Sequence, residues 1–192
     1  MIQQIVDNIA AKYDTAKVWK KVYPFVEQKA NADGSVIIAS YAGKGQYTPI
    51  GYDKFRGIIY TRRNGKISVS KYDKDSGTGC VEYKEFSIPF RSVSIIKRQF
   101  ISDDCFADNT IAENIIEKLN EKTTGLKDDI KAKSVRINVT SIDDSRASIL
   151  SEEYAGQDIK DLLYNYSIVA IDFEVNVIAN IFCMIKECEQ YG

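Results

Sequence analysis

The sequence predicts an α+β fold: a mainly antiparallel sheet with an N-terminal helix, a second amphipathic helix packed on the sheet, and a long C-terminal strand. Three observations carry this expectation. Ile2, Ile5, Val6, Ile9 and Tyr13 recur at the spacing of a helix with one apolar face. Near the other end, Val169, Ile171, Phe173, Val175 and Val177 alternate with Asp172, Glu174 and Asn176, the two-residue period of a strand with one face in a core. Between these ends, a meander of strands is followed by a helix, a strand and a short helix.

The first helix covers about Ile2 to Tyr13, and a further turn or two is expected from Thr15 to Val22, stopping before Pro24 because the residue preceding proline avoids the helical region. Tyr23 to Gln28 is extended, Asn31-Ala32-Asp33-Gly34 is a turn, and Val36 to Ala39 is a short strand. Residues 41–52 hold three glycines, Pro49 and the tyrosines Tyr41, Tyr47 and Tyr52, and are expected to form an extended loop. The Gly43-Lys44-Gly45 run lacks the rest of a phosphate-binding loop and no helix follows it.

Residues 57–72 are expected to form a basic hairpin. Asn64-Gly65 supplies the two positive-φ positions of a tight turn between Gly57–Arg63 and Lys66–Tyr72. Asp75 to Gly79 is a loop, Val81 to Phe90 a strand, and Ser92 to Ile101 a further strand. The second helix spans about Asn109 to Lys122, with Thr110 and Glu113 at capping-box spacing and Gly125 available to close its end. Val135, Ile137 and Val139 mark a half-buried strand, Ser141 to Ser148 a loop, and Gln157 to Tyr164 a short helix.

Length (192 residues) and apolar content (44%) suit one domain over 1–192. The first residues lack a basic start and a continuous apolar run, so no export signal is expected, and no stretch is apolar for long enough to span a membrane. Cys80, Cys105, Cys183 and Cys188 show no paired spacing and are expected to be reduced thiols.

There is no histidine, which excludes Ser-His-Asp and Cys-His catalysis and metal sites that use imidazole. The acid pairs Asp103-Asp104, Asp128-Asp129, Asp143-Asp144 and Glu152-Glu153 sit in loops or near helix ends, where solvation and capping explain them. Asp172 and Glu174, two apart on one strand face, are the best-placed carboxylates for a metal ion. The expectation is a protein without catalysis and without cofactors.

Charge is unevenly spread. Residues 54–98 carry 11 basic and 4 acidic groups, a net +7, whereas residues 99–192 carry 9 basic and 18 acidic groups, a net −9. No acid occurs between Lys54 and Tyr72. Lys54, Arg56, Arg62, Arg63, Lys66 and Lys71 therefore form the strongest functional signal, as contacts to nucleic-acid phosphates or to an acidic surface of another subunit. Tyr41, Tyr47 and Tyr52 are the candidate partner-contact loop. The simpler account is that both charge blocks meet within one fold.

The segments IVDNIAAKYDTAKVWKKVYPFVEQ, GIIYTRRNGKISV and DLLYNYSIVAIDFEVNVIANI, in this order, resemble small head-to-tail connector and tail-completion (tail-terminator-like) proteins of tailed bacteriophages. The resemblance is one of pattern over most of the chain. It implies a structural virion protein, assembled in the host cytoplasm and resident in the neck or tail. It further implies a ring of identical copies in contact with portal, connector and tail proteins, with non-specific contact to packaged DNA and none to membranes. Two alternatives belong to other classes. A metal-dependent nucleic-acid-processing enzyme requires Asp172 and Glu174 to converge with a further acid, and a regulatory protein-binding domain requires a stable monomer.

Overall fold

The computed structural model describes residues 1–43, 46–51, 56–71, 83–101, 107–122, 125–155 and 165–180. The loop expected at 75–79, the helix expected at 157–164, the four cysteines, Asp103-Asp104, Tyr52 and Lys54 lie outside these residues. The fold is α+β: the described residues form one sheet of eight strands, antiparallel except for a single parallel pair.

The chain begins with α1 (Ile2–Thr15), continues through β1 (Lys21–Ala30), β2 (Val36–Gly43), β3 (Gln46–Pro49), β4 (Gly57–Arg63), β5 (Ser68–Lys71) and β6 (Tyr83–Lys97), and passes a 3₁₀ turn at Arg98–Phe100. Then follow α2 (Ala107–Asn120), α3 (Leu126–Asp129), β7 (Ala132–Asp143), α4 (Arg146–Glu153) and β8 (Tyr166–Asn180). Strand order across the sheet is β3-β2-β1-β4-β6-β8-β7, with β5 also paired to β6.

Strands β6 and β8, each of 15 residues, form the spine, paired without a break from Tyr83 opposite Asn180 to Lys97 opposite Tyr166. On one face, Val169, Ile171, Phe173, Val175 and Val177 join Ile88, Phe90 and Ile59 in a core closed by Ile5, Val6 and Ile9 of α1 and Ile111, Ile115 and Leu119 of α2. Tyr13 and Trp19 enter this apolar layer with polar tips. The Tyr13 hydroxyl donates to Ser92 Oγ at 3.0 Å and Trp19 Nε1 to Ser94 Oγ at 2.7 Å, so two serines on β6 satisfy groups that would be costly to bury alone. Lys12 Nζ donates to the Glu121 carbonyl at 2.6 Å, just past the last turn of α2.

A second core lies on the other face, where Ile149, Leu150 and Tyr154 of the α4 region cover Ile58, Tyr60, Val93, Ile95, Ile168 and Ala170. The first half of β8 is therefore buried on both sides. Its second half alternates buried and half-buried residues, as the sequence period predicts.

Several expectations are corrected. Residues 57–72 are not a hairpin: β4 and β5 do not pair with each other but lie end to end along the same edge of β6 (Arg63 opposite Phe90, Ser68 opposite Ser87). Pro89 is the physical reason. Its carbonyl accepts from Asn64 N at 2.9 Å, so its missing N–H falls on that same edge and the partner strand breaks there. Gly65 (φ +132°) bulges over the ring, where a Cβ would meet Pro89 Cγ at 3.2 Å; Asn64 does not have the positive φ that the expected turn needs.

Residues 41–52 are not a loop through most of their length. Tyr41 pairs with Tyr47 in the antiparallel β2–β3 ladder. The expected turns at 15–22 give way after Thr15, and Lys21 opens β1 instead, running parallel to β4 with a register break at Tyr23–Val26 that accommodates Pro24. The strands expected at 81–90 and 92–101 are one strand, Thr110 lies inside α2 and does not cap it, and Ser141 to Ser148 holds the end of β7 and the start of α4. Among the described residues, no helix is long and apolar enough to cross a membrane.

Candidate functional site

A dense collection of charge among the described residues centres on two arginines from adjacent strands. Arg62 of β4 and Arg91 of β6 stand opposite each other in the ladder, on the α4 side of the sheet, and are only 6% and 5% exposed. An arginine so buried needs counter-charges and hydrogen-bond acceptors. The last turn of α4 supplies Glu152 and Glu153, the end of β7 supplies Asp143, and β8 supplies Asp172, which lies opposite Arg91.

Arg62 Nε donates to both oxygens of Glu153, at 2.9 and 3.0 Å, and Nη2 reaches Glu153 Oε1 at 2.7 Å and Glu152 Oε1 at 2.6 Å. Nη1 donates to Asn64 Oδ1 at 3.0 Å. Glu152 turns its other oxygen to Arg91 Nη1 at 2.9 Å, so one carboxylate bridges both guanidinium groups. Arg91 Nη2 donates to Asp143 Oδ2 at 3.0 Å, and Asp172 Oδ2 lies 3.6 Å from Nη1. Asp172 also accepts from Asn64 Nδ2 at 2.7 Å and Ser141 Oγ at 2.9 Å.

Two guanidinium charges thus face four carboxylates. Burial pulls the Arg62 guanidinium down, but Glu153 and Glu152 outweigh it and hold the group above its ordinary value. Tyr60, whose hydroxyl donates to Glu153 Oε2 at 3.2 Å, is pushed well above the usual tyrosine range, first by burial and then by Tyr154 and Glu153. Glutamates in a last helical turn oppose the helix dipole, and the two arginines offset that conflict here. The carbonyl end of α4 is tied down as well: Gln28 Nε2 donates to Glu152 O at 3.0 Å and Val36 N to Ala155 O at 2.8 Å.

The expected contact residues therefore separate. Arg62 is corrected from an exposed contact to a buried structural cation, because Glu152 and Glu153 hold it inside the fold. Arg63 and Lys66 are exposed at and just beyond the end of β4. Arg56, also exposed, stacks its guanidinium over the Phe100 ring at 4.6 Å. Lys71 ends β5. Tyr41, 54% exposed, and Tyr47 place their rings 5.2 Å apart across the β2–β3 ladder. Lys29 lies 3.9 Å over the Tyr47 ring, and the Tyr47 hydroxyl donates to Glu27 Oε2 at 3.1 Å.

Asp172 does converge with other acids, but around arginines, while Glu174 turns to Ser87 Oγ at 3.0 Å. Among the described residues, no group of three acidic or cysteine side chains is arranged to hold a metal ion. Arg91 escaped sequence reasoning. Its signal is an arginine inside the apolar run Ile88 to Ile96, a charge that must find a buried partner. The arrangement can lock α4 onto four strands; its carboxylates are occupied by internal cations. No family model matches the chain, and no curated protein matches it.

Proposed function

We propose that this chain is a non-catalytic assembly protein, associating head-to-tail with copies of itself into a ring of the kind found at the neck of tailed bacteriophages. The observation that carries this reading is the occupation of Asp143, Glu152, Glu153 and Asp172 by Arg62 and Arg91. Of the two carboxylates best placed for a metal ion, Asp172 is engaged in this internal clamp and Glu174 accepts from Ser87, which favours a building part over the metal-dependent enzyme.

Two further features support association. Strand β7, 12 residues long, has no strand partner on its outer side among the described residues, and its two register breaks discourage indiscriminate edge pairing. The +7 and −9 blocks are partly neutralised within one copy, yet Arg63 and Lys66 stay exposed at one end of β4, and Glu113, Glu117, Asp128 and Asp129 on α2 and α3. Such surfaces steer docking and set its register. A heterologous contact that closes produces the ring.

Light scattering on the purified chain, with micrographs of the same sample and of mixtures with portal and tail proteins, tests the reading. Closed rings are the expected result. A chain that stays monomeric at high concentration and forms no ring with those partners ends it.

A further inference from the structure

A cavity of about 560 Å³ opens at the start of β4, at the far end of that strand from the arginine–carboxylate clamp. This volume lies within the range of ordinary small-ligand sites, roughly 300–1,000 Å³. Its buried lining includes Ile96 of β6 and Ile111 of α2, each 4% exposed. Its rim is cationic: Lys17, Lys20 and Arg56 are exposed there, beside Phe100.

The rim is built rather than incidental. Lys17 follows the C-cap of α1 with φ 58°, a left-handed conformation that glycine usually fills and that is unfavourable for a residue with a side chain. Lys20 is tied to the start of β4 by its N–H, which donates to Gly57 O at 2.9 Å. The Arg56 carbonyl accepts from Lys97 N at 2.9 Å, and its guanidinium is braced on Phe100. Among the described residues, no carboxylate lines the cavity and none of the three cations is ion-paired. Arg62 and Arg91, by contrast, are each surrounded by acids of the same chain, whereas the described lining of this rim pairs three cations with apolar and neutral side chains.

We infer that the cavity binds a small amphiphilic anion: a carboxylate, sulfonate or phosphate ester on a compact apolar body. The anionic group sits among Lys17, Lys20 and Arg56, and the body lies against Ile96 and Ile111. This inference does not depend on the assembly reading.

Fluorescence titration with anilinonaphthalene sulfonate tests it, alongside phenylnaphthylamine, the same fluorophore without its sulfonate. One saturable sulfonate site is expected, weakening as salt rises, with the neutral analogue bound about tenfold more weakly. The exposed pair Lys20→Gln/Arg56→Gln should weaken sulfonate binding by a similar factor without shifting the Tm. As a second probe, Ile111→Trp, which fills the cavity from below, should abolish binding of both dyes. Equal affinity for the two dyes, or unchanged binding in the charge-neutral variant, overturns the inference. So does binding that survives Ile111→Trp in a chain that still unfolds cooperatively.

Discussion

Arg62 and Glu153 are joined by three hydrogen bonds of 2.7–3.0 Å, although one belongs to β4 and the other to the last turn of α4, 91 residues later. Glu153 is wholly buried. Removing one member of such a pair leaves an uncompensated charge inside the protein, whereas removing both leaves an apolar site. Arg62→Met or Glu153→Leu alone should therefore cost about 3–5 kcal/mol, and the double variant clearly less than the sum. Urea unfolding of the four proteins measures this; additive losses would mean that the pair is not coupled.

Asn64 and Gly65 have different duties. In a hairpin turn with positive φ at both positions, Asn64→Gly would be nearly neutral. Here the Asn64 side chain accepts from Arg62 and donates to Asp172, so Asn64→Gly should cost about 1–3 kcal/mol. Gly65→Ala should also destabilise, because the added Cβ meets Pro89 in a left-handed backbone. Thermal unfolding distinguishes the two geometries: a neutral Asn64→Gly would restore the hairpin.

Tyr13 and Tyr60 link stability to alkaline pH. Burial raises both hydroxyls, so the folded state keeps protons that the unfolded state releases. Their contribution is complete below the unfolded tyrosine value of about 10 and is lost as pH rises above it. Stability should fall steeply above about pH 10, and Tyr60→Phe should flatten that fall. Ultraviolet titration should show these two phenols ionising only as the chain unfolds; early, reversible ionisation of all tyrosines would contradict the burial.

The helical spacing from Ile2 to Tyr13 and the alternation from Val169 to Val177 were legible because each encodes burial in a local period. The β4–β5 relationship was not, because it depends on Pro89, which is remote in sequence and withholds one donor from the edge that both strands share. The clamp was half legible. The charge blocks implied that basic and acidic regions meet, but which side chains pair follows from β-register and from where α4 lands. Arg62 looked like its neighbour Arg63 in sequence, and only the alternation of faces along β4 sends one beneath α4 and the other to solvent.

That alternation supplies the last prediction. Arg63 and Lys66 are exposed, and Arg63 acts at a distance on Glu27, whose carboxyl is held below its ordinary range mainly by Lys29. Arg63→Glu/Lys66→Glu should therefore change unfolding free energy by no more than about 0.5 kcal/mol per site. If these cations steer one copy, or DNA, onto the chain, the same reversal should slow association and remove most of its salt dependence. Sedimentation across a salt series, with and without duplex DNA, measures both effects. A variant with native stability and native association would place the working contacts elsewhere on the surface, and the outer side of β7 would be the next region to change.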